Sequence, residues 1–415
     1  MKPVLLVACI MASAGIAAAQ NQPTVLRVST LLDGKGHVLH DTAIVVENGK
    51  IVRVDPHATG RVYDLRGLTV MPGWIDCHVH ISWHFGPDGK NAGQGFGRGA
   101  TPEQVEQGSL EIAKDAWDTL MGGFTTVQSV GAPADAPLRD AINRGEIPGP
   151  RILTAIRPLS GGGRGGNRTP EQIREYVDQD KAMGADLMKI FASASIRQGG
   201  TPTLTQEQLT AACDEAHKDG LRTLVHAYGD AVRMSVVAGC TEVEHGMLMD
   251  LGDLKLMAEH GTYFDPQAGL VQNNYFDHAK EYLGTPGYTE EGFEAMRKVL
   301  PSDIAMIKQA LATPGLKIVF GTDAVAGAHG HNAEEFIYRV QQAGEDPMRA
   351  LVSANSLAAE SMKLEDQIGS IAPGLQADII AVDGNPLTDI TAVRRVVFVM
   401  RSGTIYKNTA TERRR

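Results

Sequence analysis

The chain has 415 residues, of which 43% are hydrophobic and 21% are charged, and its formal net charge is −10 at pH 7. This length suits one large α/β barrel with a smaller module, or two or three ordinary domains. The acidic balance argues against a nucleic-acid partner, because phosphate contacts need clustered Lys and Arg.

Residues 1–19 have the pattern of a secretory signal peptide. Lys2 gives a short positive region, residues 4–16 are apolar but too few to span a bilayer, and alanines at 17–19 offer a cleavage site. A lipobox-like stretch ending in Cys9 would make the chain a lipoprotein, the weaker alternative because few apolar residues precede this cysteine. No later segment approaches 18 apolar residues. We therefore expect a periplasmic or secreted protein with no membrane segment in its mature form.

Three cysteines remain after the signal segment: Cys77, Cys213 and Cys240. An odd number at wide spacings does not make a disulfide framework, even in an exported protein. We therefore expect all three to be small buried thiols.

Both ends of the mature chain have the pattern of short antiparallel strands. Residues 24–55 alternate apolar and polar side chains, and Asp-Gly at 33–34 and Asn-Gly at 48–49 are hairpin signals. Short strands and turns return in the last part of the chain. We expect residues 20–66 and 374–415 to form the two parts of one small composite β-sandwich.

Between these ends, over residues 67–373, strands alternate with helical stretches, which predicts βαβ units and a parallel sheet. Eight strands are expected, at 68–80, 124–130, 151–156, 187–191, 222–226, 241–245, 262–265 and 317–323. The clearest amphipathic helices between them are at 101–121, 170–183, 205–219 and 288–311. We therefore predict an α/β fold of the (β/α)8 TIM barrel type, with its functional residues at the C-terminal ends of the strands. A doubly wound open sheet is the alternative, but the glycine fingerprint that often accompanies it is missing after the first strand.

Polar side chains recur where the predicted strands end, and they are His78, His80, Lys189, His226, Tyr228, His245 and Asp323. His78 and His80 are two apart on a strand, so they point the same way about 7 Å apart and can chelate one metal ion. A buried lysine at the end of an apolar strand needs a partner for its charge. Lys189 either pairs with a neighbouring carboxylate or reacts with carbon dioxide to give a carbamate that can bridge two cations.

A set of motifs resembles the metal-dependent amidohydrolase superfamily, in the right order and over nearly the whole mature chain. The motifs are Met71-Pro-Gly-Trp-Ile-Asp-Cys-His-Val-His80, Gly122-Gly-Phe-Thr-Thr-Val127, Lys189, His226, His245, Gly321-Thr-Asp323 and Gly369-Ser-Ile-Ala-Pro-Gly-Leu-Gln-Ala-Asp378. Residues 226–229 and 321–332 are most similar to one branch of this superfamily. That branch holds imidazolonepropionase-related proteins, prolidase-like Xaa-Pro dipeptidases, zinc carboxypeptidases and ochratoxin-hydrolysing amidases.

The resemblance implies a site for two divalent metal ions. His78, His80 and Asp323 would hold the first ion, His226 and His245 the second, and N6-carboxylysine at Lys189 would bridge them. Imidazole and carboxylate ligands suit zinc, although manganese and cobalt accept the same ligand types. The ions would activate a shared water, and Asp323 would pass its proton to the leaving amine. Tyr228 matches the residue that polarises the scissile carbonyl in the family.

Two departures from the family pattern concern the substrate. Related peptidases commonly have Arg-Asp-Val-Gly where this chain has Gln-Ser-Val-Gly at 128–131, and Gly-Gly-His-Gly where it has a glycine-rich run at 161–166. The second loop helps relatives hold the substrate carboxylate, and Arg164 within it is a candidate to bind that carboxylate here. His329 and His331, on the loop after the eighth strand, are further candidates for substrate contact.

We therefore expect an enzyme that cleaves an amide with two metals and releases a C-terminal amino acid from a dipeptide or an N-acyl amino acid. One alternative is a cyclic-amide hydrolase of the imidazolonepropionase type, which tends to use one metal and would leave Lys189 without a role. Another is a non-catalytic metal-binding barrel. We also expect a homo-oligomer.

Overall fold

The structure is a computed structural model and describes residues 22–92, 101–161, 167–267 and 269–410. The predicted signal peptide, Cys9 and Arg164 lie outside the described residues.

The strands and helices of the described chain alternate as expected between the two ends. The strands are β1 (Thr24–Leu32), β2 (Val38–Glu47), β3 (Lys50–Val54), β4 (Arg61–Asp64), β5 (Thr69–Pro72), β6 (Trp74–Val79), β7 (Phe124–Ser129), β8 (Arg151–Thr154), β9 (Leu159–Ser160), β10 (Leu187–Phe191), β11 (Arg222–Ala227), β12 (Glu242–His245), β13 (Tyr263–Asp265), β14 (Lys317–Ile318), β15 (Ile379–Val382), β16 (Val396–Arg401) and β17 (Thr404–Asn408). The α-helices are Pro102–Met121, Asp135–Asn143, Pro170–Ala182, Gln206–Lys218, Asp230–Val237, Gly252–His260, Leu270–Asp277, Ala279–Tyr282, Glu290–Ala312, Glu334–Gln341, Pro347–Ser353 and Ser356–Ser361. Two short 3-10 helices span Ile196–Gln198 and Ile390–Arg394.

Strands from both ends of the chain form one eight-stranded sheet, in the order β17-β16-β15-β5-β1-β2-β3 with β4 paired to β1. The two ends meet where β15 pairs antiparallel with β5. The alternating apolar side chains of these strands form a separate hydrophobic core, which includes Leu26, Ile44 and Phe398. The small terminal domain built from both ends of the chain is thereby confirmed.

Eight parallel strands form the central ring. One ladder joins β6, β7 and β8, and a second joins β10 to β14 in sequence order, with β9 added beside β10. Backbone hydrogen bonds connect the two ladders on both sides: Asp186 N donates to Thr154 O at 2.9 Å, and Cys77 N donates to Phe320 O at 2.8 Å. The predicted (β/α)8 barrel is confirmed, and the C-terminal ends of its strands share one mouth.

Two strand predictions were wrong in detail. The expected strand at 68–80 is interrupted at Gly73, so β5 belongs to the terminal sheet while β6 belongs to the barrel. A side chain could not fit at Gly73, because a Cβ there would lie 2.2 Å from Thr125 Oγ1. The eighth strand pairs as a ladder only over Lys317–Ile318, and residues 319–324 continue beside β6 through single backbone hydrogen bonds.

The predicted helices begin where their capping residues stand. Thr101, Thr169 and Thr205 each accept a hydrogen bond from the backbone N–H of a glutamine three residues later, and each glutamine side chain bonds back to the cap. The four helices predicted from the sequence end within two residues of their expected bounds. Among the described residues, we find no helix with the length and apolar content needed to cross a membrane.

Cys213 and Cys240 form a disulfide, so the expectation of three buried thiols is wrong for two of them. Cys213 lies on the helix Gln206–Lys218, and Cys240 precedes β12. Their Cα atoms are 5.2 Å apart although 27 residues separate them in the sequence. Packing of the helix against neighbouring barrel strands creates this proximity. Cys77 is a buried free thiol, as expected.

Candidate active site

The predicted metal ligands converge at the barrel mouth. His78 lies near the end of β6, Lys189 lies in β10, and His226 and His245 lie at the ends of β11 and β12. Together with His80 and Asp323, which follow their strands, they are brought to one place by the parallel ring. The cavity above them has a volume of about 290 Å³, and the histidines, Asp323 and Tyr228 line it.

His78, His80 and Asp323 form one group of possible metal ligands. Asp323 Oδ1 lies 3.1 Å from His80 Nε2 and 3.4 Å from His78 Nε2. Burial raises the pKa of the Asp323 carboxyl, but His78 and His80 outweigh this effect and bring the pKa to about 2. Two imidazole nitrogens and an ionised carboxylate within 4.8 Å of one another fit a divalent cation.

His226 and His245 form a second pair beside the first group. Their ring centroids are 4.7 Å apart, and the Tyr228 ring stacks on His245 at 5.2 Å. Burial lowers the pKa of both histidines well below the usual value, so both imidazoles are neutral, which is the form that binds metal. Within the described chain, His245 Nδ1 is buried and has no hydrogen-bond partner. This orphaned nitrogen also fits a metal ligand.

Lys189 is fully buried between the two groups. Its Nζ lies 3.5 Å from His78 Nε2. No carboxylate oxygen of the described residues lies within 4.0 Å of Nζ, so the salt bridge that was one interpretation of this lysine does not form. Burial lowers the pKa of the amine, which favours its neutral form.

Glu244 and Gln267 contact His78 at Nδ1, the ring nitrogen that faces away from Asp323. Glu244 Oε2 lies 2.6 Å from His78 Nδ1, and the Gln267 side-chain amide contacts both groups. Donation of the Nδ1–H to the Glu244 carboxylate leaves the Nε2 lone pair facing Asp323 and the cavity. The sequence analysis missed both residues. The available signal for Glu244 was an acidic residue directly before His245 at the end of a predicted strand.

Three residues of the site have left-handed backbone conformations. The φ angles are 68° at His245, 52° at Asp323 and 47° at Gln267. For residues other than glycine this conformation costs about 1–2 kcal/mol each, and such strain clusters at functional sites.

Aromatic side chains and one arginine complete the cavity wall. Trp83, Phe191 and Tyr275 line it, and so does Arg197. The Arg197 guanidinium lies 4.2 Å from the ring centroid of Tyr288. Sequence reasoning missed Arg197, because it lies in a loop after β10 and belongs to no motif.

Two other predicted substrate contacts, His329 and His331, are not brought into this cavity. His329 and His331 line a separate cleft with Asp115 and Asp118. His329 is buried with its Nε2 3.2 Å from Trp83 O, and His331 is exposed. Arg164 lies outside the described residues, so the structure gives no contact for it.

Comparisons with known proteins agree with this geometry. The Amidohydrolase family model matches residues 69–406. Ochratoxinase of Aspergillus niger is 25% identical over 431 residues, covering 92% of this chain and 86% of the relative. Imidazolonepropionase of Paracoccus denitrificans is 25% identical over 404 residues, covering 83% of this chain and 88% of the relative.

A solved Xaa-Pro dipeptidase with methionine bound in its active site superposes with a TM-score of 0.81. It is 30% identical, and the match covers 93% of this chain and 100% of that structure. The resemblance inferred from the motifs is thereby confirmed. The chain belongs to the Amidohydrolase family and is a hydrolase of amide bonds, in a family that typically depends on metal.

Proposed function

We propose that this enzyme uses two divalent ions to hydrolyse a dipeptide or an N-acyl amino acid and so release its C-terminal amino acid. The observation that carries the proposal is Lys189, a fully buried amine without a carboxylate partner in the described part of the site, 3.5 Å from a metal-binding nitrogen of His78. Reaction of the neutral Nζ amine with carbon dioxide, with loss of one proton, would convert it into a carbamate anion with two oxygens. His78, His80 and Asp323 would hold one ion, His226 and His245 would hold a second, and the carbamate of Lys189 would supply oxygen ligands to both.

The chain's own residues supply the remaining chemistry. Two ions at these ligands, of which zinc suits the imidazole and carboxylate donors, would supply Lewis acidity to water and to an amide carbonyl. Asp323 accepts a proton from the attacking water and delivers it to the leaving nitrogen. Tyr228 lines the same cavity and donates its phenol O–H to the carbonyl oxygen as negative charge develops there.

The names of the relatives support the substrate class. Ochratoxinase and imidazolonepropionase are relatives in sequence, and the structural neighbour named above is an Xaa-Pro dipeptidase with a free amino acid bound in its active site. A free amino acid is the kind of product that we propose for this chain.

We also propose that the protein is exported to the periplasm or secreted, and that it assembles as a homo-oligomer. The Cys213–Cys240 disulfide supports export, because disulfides persist in oxidising compartments. N-terminal sequencing of the mature protein should begin at Gln20, and light scattering should give a mass above that of one chain. Retention of residues 1–19 together with a reduced Cys213 would contradict export.

Metal analysis of the purified protein tests the proposed mechanism. We expect two divalent ions per chain, loss of amide hydrolysis after chelation, and recovery on addition of zinc. The assay substrates are a panel of N-acetyl amino acids and Ala-Xaa dipeptides. One ion per chain at full activity would contradict the two-metal site and favour a cyclic-amide hydrolase.

Substitution of Lys189 tests the bridge directly. Lys189→Ala should lose metal and activity together, and short carboxylates should restore part of both by supplying the missing oxygens. Lys255→Ala, which removes an exposed lysine, is the matched control and should resemble the wild type. Two retained ions and normal turnover in Lys189→Ala would show that this lysine does not bridge metals.

A further inference from the structure

Arg197 is held in a fixed orientation beside the metal-binding residues. It lies in the 3-10 turn Ile196–Gln198 that follows β10, where its backbone N–H donates to Ser195 Oγ and the Ile196 side chain is buried. Its Nε donates to Gly287 O at 3.1 Å. The guanidinium is therefore positioned by the backbone on both sides rather than left free in solvent.

The guanidinium rests on aromatic rings instead of an acid. It lies 4.2 Å from the ring centroid of Tyr288 and 5.3 Å from that of Tyr275, and the two phenol oxygens are 3.3 Å apart. Cation–π contacts support a guanidinium without cancelling its charge. No carboxylate oxygen in the described chain lies within 4.0 Å of Arg197.

Two other shielded arginines in the described chain do have such partners. Arg339 is buried and pairs with Glu345 at 2.8 Å, and Arg151 pairs with Asp378 at 2.8 Å. Arg197 differs from both because it lines a cavity. The charge of Arg197 is therefore available to an anion that enters this cavity.

Arg197 shares the cavity with the reacting groups. The same space of about 290 Å³ is lined by Arg197, Tyr228, Asp323 and the metal-binding histidines. The turn after Arg197 packs directly on Tyr228, since a Cβ added at Gly200 would lie 2.8 Å from Tyr228 Cβ. A substrate whose amide reaches the histidines therefore has a guanidinium within the same enclosure.

We propose that Arg197 binds the free carboxylate of the substrate and makes the enzyme selective for amides of C-terminal amino acids. A guanidinium can donate two parallel hydrogen bonds to a carboxylate, a geometry that a neutral carboxamide cannot match. The apolar parts of the substrate would lie against Trp83, Phe191 and Tyr275. This assignment rests on the proposed function, and it gives the carboxylate a partner in the described chain.

Kinetics of the metal-loaded enzyme test the role of Arg197 in turnover. The substrates are N-acetyl-L-phenylalanine and its carboxamide, N-acetyl-L-phenylalaninamide. Arg197→Met should raise KM for the free acid by roughly 10- to 100-fold, because hydrogen bonds to a charged group typically contribute a free energy of this size. The kcat for the free acid should stay within about threefold of the wild-type value. The kinetics of the carboxamide should not change. An equal loss for both substrates would overturn the assignment.

Binding of an uncleavable pair separates this inference from the proposed function. L-Phenylalanine and L-phenylalaninol differ only in the carboxylate, and neither contains an amide. Calorimetry should show that wild-type protein binds L-phenylalanine more tightly than the alcohol, and that Arg197→Met weakens only the amino acid, by roughly 10- to 100-fold. Equal affinities in the wild type would overturn the role of Arg197. Absence of hydrolysis with carboxylate-dependent binding intact would instead count against the proposed reaction.

Two further variants test whether the loss of affinity in Arg197→Met comes from a general change in structure. Arg197→Lys keeps the charge but not the paired donors, so it should restore part of the affinity that Arg197→Met loses. Arg297 also lies over an aromatic ring, 5.1 Å from the Phe276 centroid, but it does not line the cavity. Arg297→Met should therefore leave both ligands unaffected, and all variants should keep the wild-type metal content.

Discussion

At the scale of single residues, the candidate site contains residues that orient the predicted metal ligands, in addition to those ligands. His78 has Asp323 near its Nε2 and Glu244 at its Nδ1, so its ring is fixed from both ends. Burial raises the pKa of Glu244 to about 7. A carboxylate behind a metal-binding histidine fixes the ring and increases its basicity. We therefore expect Glu244 to contribute to metal affinity without touching the metal.

Glu244→Gln should lower metal affinity by about 10- to 100-fold, because the neutral amide holds His78 less firmly. Competition with a chromophoric chelator measures the affinity without an activity assay. Glu242→Gln is the matched control. Glu242 is equally buried two residues earlier on β12, and it lies 4.0 Å from Arg222 rather than beside a histidine. Equal losses of affinity in the two variants would assign the effect to general destabilisation of the strand.

The candidate metal ligands could be identified from the sequence because their signal is local. Histidines, a lysine and an aspartate end apolar strands, and parallel strands bring such ends together. Arg197 and Gln267 have no comparable signal, since both lie in irregular segments whose direction depends on packing. His329 was associated with the site by its nearness to Asp323 in the sequence, but its loop turns into a neighbouring cleft.

At the scale of elements, the disulfide ties two parts of the barrel wall together. Cys213 lies on a helix that packs against β11, and Cys240 lies in the turn that leads to β12. Cross-linking across 27 residues restricts the unfolded chain, and a link of this size typically stabilises a protein by about 2–4 kcal/mol.

Replacement of both cysteines by serine should lower stability by about 2–4 kcal/mol and leave kcat at 25 °C near the wild-type value. Differential scanning calorimetry measures the change as a fall in apparent Tm. Reducing agent should lower the Tm of the wild type but not that of the double variant, which provides the control. A wild-type Tm that is insensitive to the reductant would show that the bond is absent or without effect on stability.

Elements were predictable where local chemistry marks their ends, and not where distant packing decides. The helix predicted at 101–121 from its amphipathic pattern begins at Pro102, directly after its cap Thr101. The break at Gly73 depends on Thr125, which occupies the space that a side chain would need. The disulfide likewise depends on a tertiary contact, and the odd cysteine count concealed it.

At the scale of the whole molecule, a partly buried ion pair joins the barrel to the terminal sheet. Arg151 of β8 donates to Asp378 Oδ2 at 2.8 Å, and Ser402 N donates to the other carboxylate oxygen at 2.7 Å. Only 4% of the Asp378 side chain is exposed. Loss of this carboxylate would leave the shielded guanidinium without its charged partner.

Asp378→Asn should reduce the free energy of unfolding by about 1–3 kcal/mol, the usual effect of removing a hydrogen bond to a charged group. Chemical denaturation measures the change. Asp389→Asn makes the same substitution in an exposed pair with Arg395, and it should change stability by less than about 1 kcal/mol. Similar losses of unfolding free energy in the two variants would show that burial does not increase the contribution of the Arg151–Asp378 pair to stability.

The left-handed backbone at His245 and Asp323 bears on how such a protein could change during evolution. Each position keeps a side chain that the proposed mechanism requires in a conformation that glycine adopts more easily. Selection for activity therefore maintains residues that the fold alone would not favour. In a descendant that no longer needed catalysis, we expect glycine or asparagine to replace these two residues early. Such replacements would mark a barrel that has been retained as a scaffold after its chemistry was lost.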